Sequence, residues 1–205
     1  MVNSGPLRAV LAYDEAQPPQ PALSSISGNL ELYALRKGAA LPNLPTNQID
    51  LFILLADART GISDTMISAW HFYQERLFPR LLIVQGLEET TTDFDDIVLI
   101  ANRTLEALAT PYLVLHDEDG NPSGLIELET GTVYDYSTSQ VLTSVANPEL
   151  LELVRDFQDE YRENFHELGA DAFQAGLLAI AIPIANRTQP GIVEITRYLQ
   201  LLSKR

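Results

Sequence analysis

The sequence predicts an α/β protein with a mostly parallel sheet and an inserted α+β segment. Two observations lead to this prediction. Short, continuously apolar runs alternate with amphipathic helices in both terminal parts of the chain, a pattern typical of parallel strands covered on both faces. Between residues 111 and 174 the pattern changes to short strands, turn residues and a long acidic helix.

The first part of the chain contains three predicted strands and one unusual connection. Leu7–Ala12 is an apolar run suited to a buried strand, and Leu30–Leu35 alternates as a strand does. The prolines of Gln17–Pro21 remove backbone donors and block helical geometry, so we expect Tyr13–Ser27 to be a loop or an extended crossover rather than the usual helix. Leu51–Ala56 is apolar throughout and is predicted to be a central strand.

Two helices and a further buried strand follow. Ile62–Arg76 carries apolar residues at helical spacing, with Ser63 near its start. Leu81–Val84 is the next predicted strand, and Asp93–Leu108 is predicted to be one amphipathic helix. The apolar stripe of this second helix comprises Phe94, Ile97, Val98, Ala101, Leu105 and Leu108.

The inserted segment begins with a predicted antiparallel meander. Its three strands are Tyr112–Leu115, Gly124–Leu128 and Thr132–Tyr136, with turn-rich stretches between them. A long acidic helix is then predicted from Pro148 to about Leu168.

The chain then returns to the α/β pattern. A short turn is expected at Asp171–Gln174, an apolar strand at Leu177–Ile182 and a closing helix at Pro190–Leu202. We therefore predict that residues 1–205 form one unit, in which 1–110 and 175–205 supply the core sheet and helices and 111–174 form an inserted subdomain.

The composition excludes several classes of protein. With 205 residues, of which 46% are hydrophobic, the chain is long enough to bury a core without a metal or a disulfide, and it has no cysteine. The net charge of −15 repels phosphate backbones and argues against nucleic-acid binding. No apolar run has the length of a membrane span, and Met1–Pro6 lacks the features of a signal peptide, so we expect a cytoplasmic protein that makes no membrane contact.

Two groups of polar residues give weak signals of a site. Asp119–Ile126 begins like a calcium loop, but its twelfth position is Thr130, and a polar hairpin turn is the alternative. The three histidines, His71, His116 and His166, lie far apart, and nothing in the sequence brings them together as a catalytic or metal site.

The predicted acidic helix carries several carboxylates on one face. They belong to Asp156, Asp159, Glu160 and Glu163. Such a face is a solvated surface or, alternatively, an electrostatic docking face for a basic partner.

The first strand is not followed by a phosphate-binding turn. Leu11–Gln17 contains no glycine, lysine, serine or threonine, and Asp14 and Glu15 add negative charge where a phosphate would lie. We therefore predict no catalytic, cofactor-binding or metal-binding residue in this chain.

From Asp50 onward the residues resemble the GTP-binding domain of translational GTPases, most closely elongation factor G and related ribosome-protection factors. The stretches that carry the resemblance are Ile49–Ala58, Thr60–Ile62, Thr65, Trp70, Pro79–Val84 and Thr92–Asp95. Gly124–Leu128, Leu150–Phe165 and Ala175–Leu199 resemble later parts of the same domain more loosely. The resemblance implies a P-loop-NTPase-like G domain, which is a three-layer sandwich with an inserted subdomain.

The nucleotide motifs of that family are altered in this chain. The phosphate loop falls on Ala12–Pro21, where its glycines and lysine are missing, and Asp-Thr-Pro-Gly-His falls on Leu35–Ala39, where only the glycine remains. The guanine motif Asn-Lys-x-Asp becomes Gln85–Glu88, and the closing Ser-Ala becomes Ala185–Asn186. The positioning groups and charges on which GTP hydrolysis depends are thus absent from the matching positions.

The resemblance and these departures together imply a pseudo-GTPase that needs no cofactor and acts as a protein-interaction or assembly module, with a partner protein or a second copy. The alternative is a translation-associated domain with residual GTP or GDP binding, or one that docks ribosomal stalk proteins as the family's inserted subdomain does. An enzyme of different chemistry is a third hypothesis, which requires a deep pocket that holds a histidine and a carboxylate.

The proline-rich crossover has two interpretations. Without a helix after the first strand, one face of the sheet would lie open as an interface. Alternatively, the apolar residues of the crossover pack there as a lid. They are Pro18, Pro19, Pro21, Leu23 and Ile26.

Overall fold

Six strands form one parallel sheet and four form an antiparallel sheet in a computed structural model of the chain. The structure describes residues 7–21, 23, 29–88, 93–138, 140–166, 169–185 and 191–202, and of residues 29, 164, 166, 169 and 170 the backbone alone. In chain order the elements are β1 (Arg8–Asp14), β2 (Asn29–Leu35), β3 (Leu51–Asp57), α1 (Asp64–Gln74), β4 (Arg80–Gln85), α2 (Phe94–Thr104), β5 (Leu108–Ala109), β6 (Tyr112–His116), β7 (Pro122–Glu127), β8 (Thr132–Asp135), β9 (Leu142–Val145), α3 (Pro148–Leu153), α4 (Arg155–His166), α5 (Gly169–Gln174), β10 (Ala179–Pro183) and α6 (Ile192–Leu202).

The parallel sheet has the strand order β2-β1-β3-β4-β10-β5. All five neighbouring pairs run parallel, with Tyr13 opposite Leu55 and Leu55 opposite Ile83 in the centre. Every residue of β3 is buried, as is expected for a strand with neighbours on both sides and helices on both faces. The predicted α/β class and the central position of Leu51–Ala56 are therefore confirmed.

Alternate residues of the strands pack into two apolar cores, one on each face of the parallel sheet. Phe52 and Leu54 point to the face covered by α1 and α2, where they meet Trp70 and Tyr73. The other core also combines both sheets. It contains Ile53, Leu81 and Ile180 from parallel strands, Leu113, Ile126 and Leu128 from the antiparallel region, Tyr161 and Phe173 from α4 and α5, and Ile195 and Leu199 from α6.

Tyr13 and Asp14, predicted as the start of the crossover, belong to β1 because they pair with Ala34 and Leu35 of β2. The rest of the proline-rich connection from β1 to β2 contains no α-helix in its described residues, which confirms the prediction for that part. Its Leu23 is 1% exposed and lies in the core on the α6 face, where it packs with residues of β1 and β3. This favours the lid interpretation for Leu23, whereas Pro18 and Pro21 are exposed and do not pack as part of a lid. Ile26 and Ser27 lie outside the described residues.

The second helix is shorter than predicted. A capping box between Asp93 and Asp96 starts α2, but the helix ends at Thr104 rather than at Leu108. Leu108 instead begins the two-residue strand β5, which pairs with β10, and its N–H is bonded to the Asn102 side chain at 2.9 Å. The predicted helix is too long because Leu108 is buried by the pairing of β5 with β10, so the apolar pattern continues past the end of the helix.

The inserted region contains more elements than the sequence predicts. The three predicted strands are confirmed as β6, β7 and β8, and β9 is an additional edge strand whose four residues are all exposed. A strand without a buried face shows no apolar alternation, so β9 gives no signal in the sequence.

The predicted long acidic helix is two helices. Asn147 caps α3, and the helical geometry breaks at Val154, whose backbone adopts φ −98° and ψ 4° while its side chain is buried. The segment predicted as a short turn at Asp171–Gln174 belongs to α5. The predicted ends at Leu168 and Pro190 lie outside the described residues.

None of the helices in the described ranges combines the length and the apolar character that crossing a membrane requires.

Candidate functional site at the carboxyl edge of the parallel sheet

The topology of the parallel sheet places its switch point between β1 and β3. From β1 the chain moves outward to β2, and it then returns to β3 on the other side of β1. In open α/β sheets, ligands bind in the crevice outside the carboxyl ends of the strands at this point. Asp14, Asp57 and Gln85 stand at the carboxyl ends of β1, β3 and β4.

Asp57 is the buried charge of this edge, and Arg59 pairs with it. The Asp57 side chain is 2% exposed. Arg59 donates to it from Nε to Oδ1 and from Nη2 to Oδ2, each at 2.7 Å, and the Arg59 backbone N–H adds a third bond at 3.0 Å. Burial acts to raise the pKa of Asp57, but these bonds, a bond from Gln85 and the Arg59 charge outweigh it and lower the pKa below its usual value.

A tight turn holds these two residues together. The apolar strand β3 ends at Asp57, and the chain reverses so that the N–H of Gly61 bonds to the Asp57 carbonyl at 2.8 Å. Gly61 has φ +72°, a conformation that glycine adopts at no steric cost. Because the turn is this short, Arg59 folds back over the end of its own strand.

Gln85 ties the proline-rich crossover to the same edge. Its amide nitrogen donates to Asp57 Oδ2 and to the Pro18 carbonyl, both at 3.1 Å, and its amide oxygen accepts from the Gln20 N–H at 3.1 Å. Gln17 Oε1 accepts from Arg59 Nη2 at 2.7 Å. We call Gln17, Asp57, Arg59 and Gln85, together with the backbone of Pro18 and Gln20, the edge network.

The residue after Gln85 must be glycine for this arrangement. Gly86 has φ +78°, and a Cβ at this position would lie 2.7 Å from Asp57 Oδ1. The close approach of backbone and carboxylate thus depends on the missing side chain.

The edge network occupies the switch-point crevice with side chains of this chain. Arg59 has its guanidinium committed to Asp57 and Gln17. The next acidic side chain, Glu15, pairs with Arg36 at 2.9 Å, and that hydrogen bond, with the Arg36 charge, lowers the pKa of Glu15. The carboxylates of Asp57 and Glu15 are therefore paired at this edge, whereas the Gln20 side-chain oxygen is buried without a hydrogen-bond partner among the described residues.

A second polar cluster joins α6 to the antiparallel sheet beside a cavity of about 220 Å³. Arg197 donates to the hydroxyls of Tyr112 at 3.3 Å and Tyr134 at 3.1 Å and lies 3.5 Å from Glu127 Oε1. Burial, and then the charge of Glu127, raise the pKa of Tyr112, so its hydroxyl stays protonated at neutral pH. This cluster also satisfies its own polar groups.

The structure does not join the histidines to each other among the residues it describes. His71 contacts the Gln74 side chain at 2.7 Å and the Thr104 carbonyl at 3.2 Å. His116 ends β6, and it opposes only in part the burial that raises the pKa of the nearby Asp95 carboxyl. The His166 side chain lies outside the described part of the structure.

The segment with calcium-loop spacing forms the hairpin turn between β6 and β7. Asp117 holds the turn, because its Oδ1 accepts from the N–H groups of Asp119 at 3.0 Å and Asn121 at 2.8 Å. Across the described ranges, no group of three or more His, Asp or Glu side chains is placed to hold a metal ion.

Of the edge network, the sequence indicates only Gln85, as the changed first residue of a guanine motif, and it does not pair Asp57, Arg59 and Gln17. Asp57 does carry a signal, because it is a carboxylate at the end of an otherwise apolar strand. Gln17, which lies 42 residues before its partner Arg59, has no signature in the sequence.

No protein-family model matches the chain. The fold is similar to that of a protein from Thermus thermophilus of known crystal structure, with a TM-score of 0.68 and 16% sequence identity. The match covers 97% of this chain and 40% of the Thermus protein, so this chain spans less than half the length of that relative. At this identity the likeness establishes a shared mixed α/β fold.

Proposed function

We propose that this chain is a pseudo-GTPase: a G-domain-like fold that binds no nucleotide, catalyses no GTP hydrolysis and acts as a protein-interaction or assembly module. The observation that carries the proposal is the edge network. It fills the crevice at the switch point, which is where a sheet of this topology holds its ligands.

The backbone at this crevice also suits a phosphate poorly. Phosphate sites in such folds use bare N–H groups at the start of a helix. Here the residues after β1 continue as a turn and a proline-rich stretch, and Pro18, Pro19 and Pro21 have no N–H to offer. The Asp14 carboxylate would repel a phosphate by about 1 kcal/mol at 4 Å in water, and Glu15 adds a charge of the same sign.

The buried Asp57 carboxylate makes the network hard to displace. A nucleotide that took the place of Arg59 would leave Asp57 without its counter-charge, and it would also break the bond from Arg59 to Gln17 of the crossover. Because the Arg59 side chain is 36% exposed, the cost is smaller than the roughly 3–5 kcal/mol that is typical of breaking a fully buried pair. A ligand must recover this cost before it gains any net affinity.

Calorimetric titration with GTP and with GDP, each with and without Mg²⁺, tests the nucleotide part of the proposal. We expect no saturable heat up to millimolar ligand, and no phosphate release from GTP above the rate without protein. A nucleotide-binding GTPase titrated under the same conditions shows that the assay can detect binding. Saturable binding in the micromolar range would overturn this part and would favour the alternative, a translation-associated domain with residual GTP or GDP binding.

Light scattering across a concentration series tests the assembly part. A molar mass that rises with concentration from that of one chain to that of two supports self-association. The mass of a single chain at every concentration contradicts a homodimer, and the interaction partner would then be a different protein. The version in which this partner is a ribosomal stalk protein is tested by titrating purified stalk protein, with absence of binding as the contrary result.

A further inference from the structure

A groove of about 300 Å³ lies on the opposite side of β5 from the rest of the parallel sheet, between α2 and α4. Both walls are helices, of 11 and 12 residues, and Ala109 of β5 lies at the base. The lining residues extend from Asp95 to Asn102 on α2 and from Phe157 to Tyr161 on α4, which at 1.5 Å per residue is about 10 Å and about 6 Å, or one to two helical turns.

The groove exposes apolar side chains on both walls. Leu99 on α2 is 51% exposed and Phe157 on α4 is 42% exposed, and both line the groove. Tyr161 lines it deeper and is buried. Large apolar side chains that face each other across a concave surface are typical of a binding site rather than of scattered surface residues.

The groove is also acidic. Asp95 and Asp96 on α2 and Glu160 on α4 line it, and the lining includes no lysine, arginine or histidine among the described residues. Asp96 is used by the capping box of α2, but Asp95 and Glu160 form no ion pair with any described cation. Burial raises the pKa of Asp95, and the carboxylates of Asp93 and Asp96 raise it further while His116 acts to lower it. A positive charge in the groove would relieve this repulsion.

The walls determine which kind of segment fits. Their backbone N–H and C=O groups are used within the helices. The edge strand β5 at the base is only two residues long, and its Leu108 N–H is already bonded to Asn102, so the groove offers little hydrogen-bond ladder to an extended strand. A helix, whose backbone is satisfied internally, can lie along the groove and insert apolar side chains between the walls.

We propose that the groove between α2 and α4 binds a basic amphipathic helix of a partner protein, with apolar side chains packed against Leu99 and Phe157 and lysine or arginine side chains facing Asp95 and Glu160. This inference rests on the interaction part of the proposed function and names the chemistry of the partner. The net charge of −15 strengthens the attraction and accelerates the encounter.

Fluorescence anisotropy with a labelled synthetic peptide tests the inference. The probe is a peptide of about 18 residues, long enough to form a helix, with leucines spaced at i, i+3, i+4 and i+7 and lysines elsewhere. We expect saturable binding that weakens as salt is raised, and no binding of the same peptide with glutamate in place of lysine. Absence of saturable binding by the lysine peptide would overturn the inference.

Matched variants separate the groove from general attraction to an acidic protein. Glu160→Gln removes a groove charge, and Glu118→Gln makes the same change at an exposed residue of the turn between β6 and β7, which does not line the groove. Leu99→Ser removes a groove contact, and Ile100→Ser changes a similarly exposed neighbour outside it. We expect Glu160→Gln to weaken binding about fivefold and Leu99→Ser about tenfold, with little change in either control.

Equal losses in groove variants and controls would show attraction to net charge alone and would overturn the inference. Thermal melting of each variant verifies that it folds. A second copy in the groove would instead appear as self-association that Leu99→Ser abolishes, and that result would also contradict a basic partner helix.

The peptide assay contains no nucleotide, so its failure is distinct from failure of the proposed function. Nucleotide binding in the calorimeter contradicts the pseudo-GTPase and leaves the peptide data intact. If the chain binds neither nucleotide nor peptide, the proposal of a partner helix is contradicted and the proposal that the chain binds no nucleotide stands.

Discussion

The carboxylate of Glu194 is completely buried, and both its oxygens accept a hydrogen bond from the Tyr136 hydroxyl, at 2.9 and 3.1 Å. The backbone N–H of Gly191 donates a further bond at 3.0 Å. Glu194 belongs to the first turn of α6, and Tyr136 follows β8. One buried charge therefore fastens the last helix to the antiparallel sheet.

Tyr136→Phe removes the hydroxyl from this contact and leaves the buried Glu194 with a single described donor. A hydrogen bond to a charged group contributes about 1.5–3 kcal/mol, so we expect the free energy of unfolding to fall by about that amount. Urea denaturation measures the change. Tyr134→Phe is the control, since its hydroxyl is only partly buried and we expect a smaller loss; equal losses would contradict this account.

Glu106→Gln breaks the buried charge pair between Glu106 and Arg80. Arg80 donates to Glu106 from Nε at 2.8 Å and from Nη2 at 3.0 Å, and the Trp70 ring nitrogen donates to the same carboxylate at 2.7 Å. The Arg80 side chain is 2% exposed, so the change leaves a buried guanidinium without its counter-charge. We expect a loss of about 3 kcal/mol, the lower end for a broken buried pair. The fluorescence of Trp70, the chain's one tryptophan, reports the unfolding.

Gly86→Ala tests the close approach of the backbone to Asp57. A positive φ costs any alanine about 1 kcal/mol, and here the new methyl group also meets the carboxylate at 2.7 Å. Gly38→Ala is the matched control, because Gly38 has φ +73° but nothing within 4 Å of an added Cβ. We expect Gly86→Ala to lower the unfolding free energy by at least about 2 kcal/mol more than Gly38→Ala. Similar losses at the two sites would show that the contact with Asp57 carries no cost.

The edge network makes stability depend on pH. The folded pKa of Asp57 lies below the ordinary value of 3.8, so its ionised form favours folding. This contribution is fully present above 3.8 and is lost as the pH falls through the lower folded pKa. We expect Asp57→Asn to be less stable than the original chain at neutral pH, and the difference to shrink below about pH 4. Urea titrations at several pH values measure it, and a constant difference down to about pH 2 would contradict the shift.

Most of the fold could be predicted from the sequence, since apolar runs and helical stripes follow directly from burial. Leu51–Ala56 reads as a central strand because both of its faces are covered. Apart from β9, which has no buried face, the errors at α2 and at α3–α4 have one cause in common: the pattern of burial continues while the backbone geometry changes. Leu108 stays buried in β5 after α2 has ended, and Val154 stays buried where α3 gives way to α4. The spacing of apolar residues indicates which side chains are buried. It does not show where the backbone geometry breaks, because the same side chains stay buried across the break.

The edge network could be predicted only in part. Asp57 and Gln85 follow buried strands, and parallel strands bring their carboxyl ends to one edge. The role of Gln17 depends on where a proline-rich loop crosses that edge, which neither spacing nor charge specifies. The groove between α2 and α4 was equally hidden, because Leu99 and Glu160 come from elements that meet only in the folded chain.

The antiparallel sheet enters and leaves the fold at neighbouring strands. The chain departs after Ala109 in β5 and returns at Ala179 in β10, and these two strands are hydrogen-bonded partners. Because these two strands run parallel, a connection that replaced everything between them would have to cross back to the start of β10, which takes about a dozen residues rather than a tight turn. The shared core opposes that excision, since Leu113, Ile126 and Phe173 pack in the same cluster as Ile53 and Ile180 of the parallel sheet. The connectivity of the chain would thus allow the insertion to be removed, but the packing of the core would not. A chain without the insertion would expose the face of the parallel sheet that the insertion now covers.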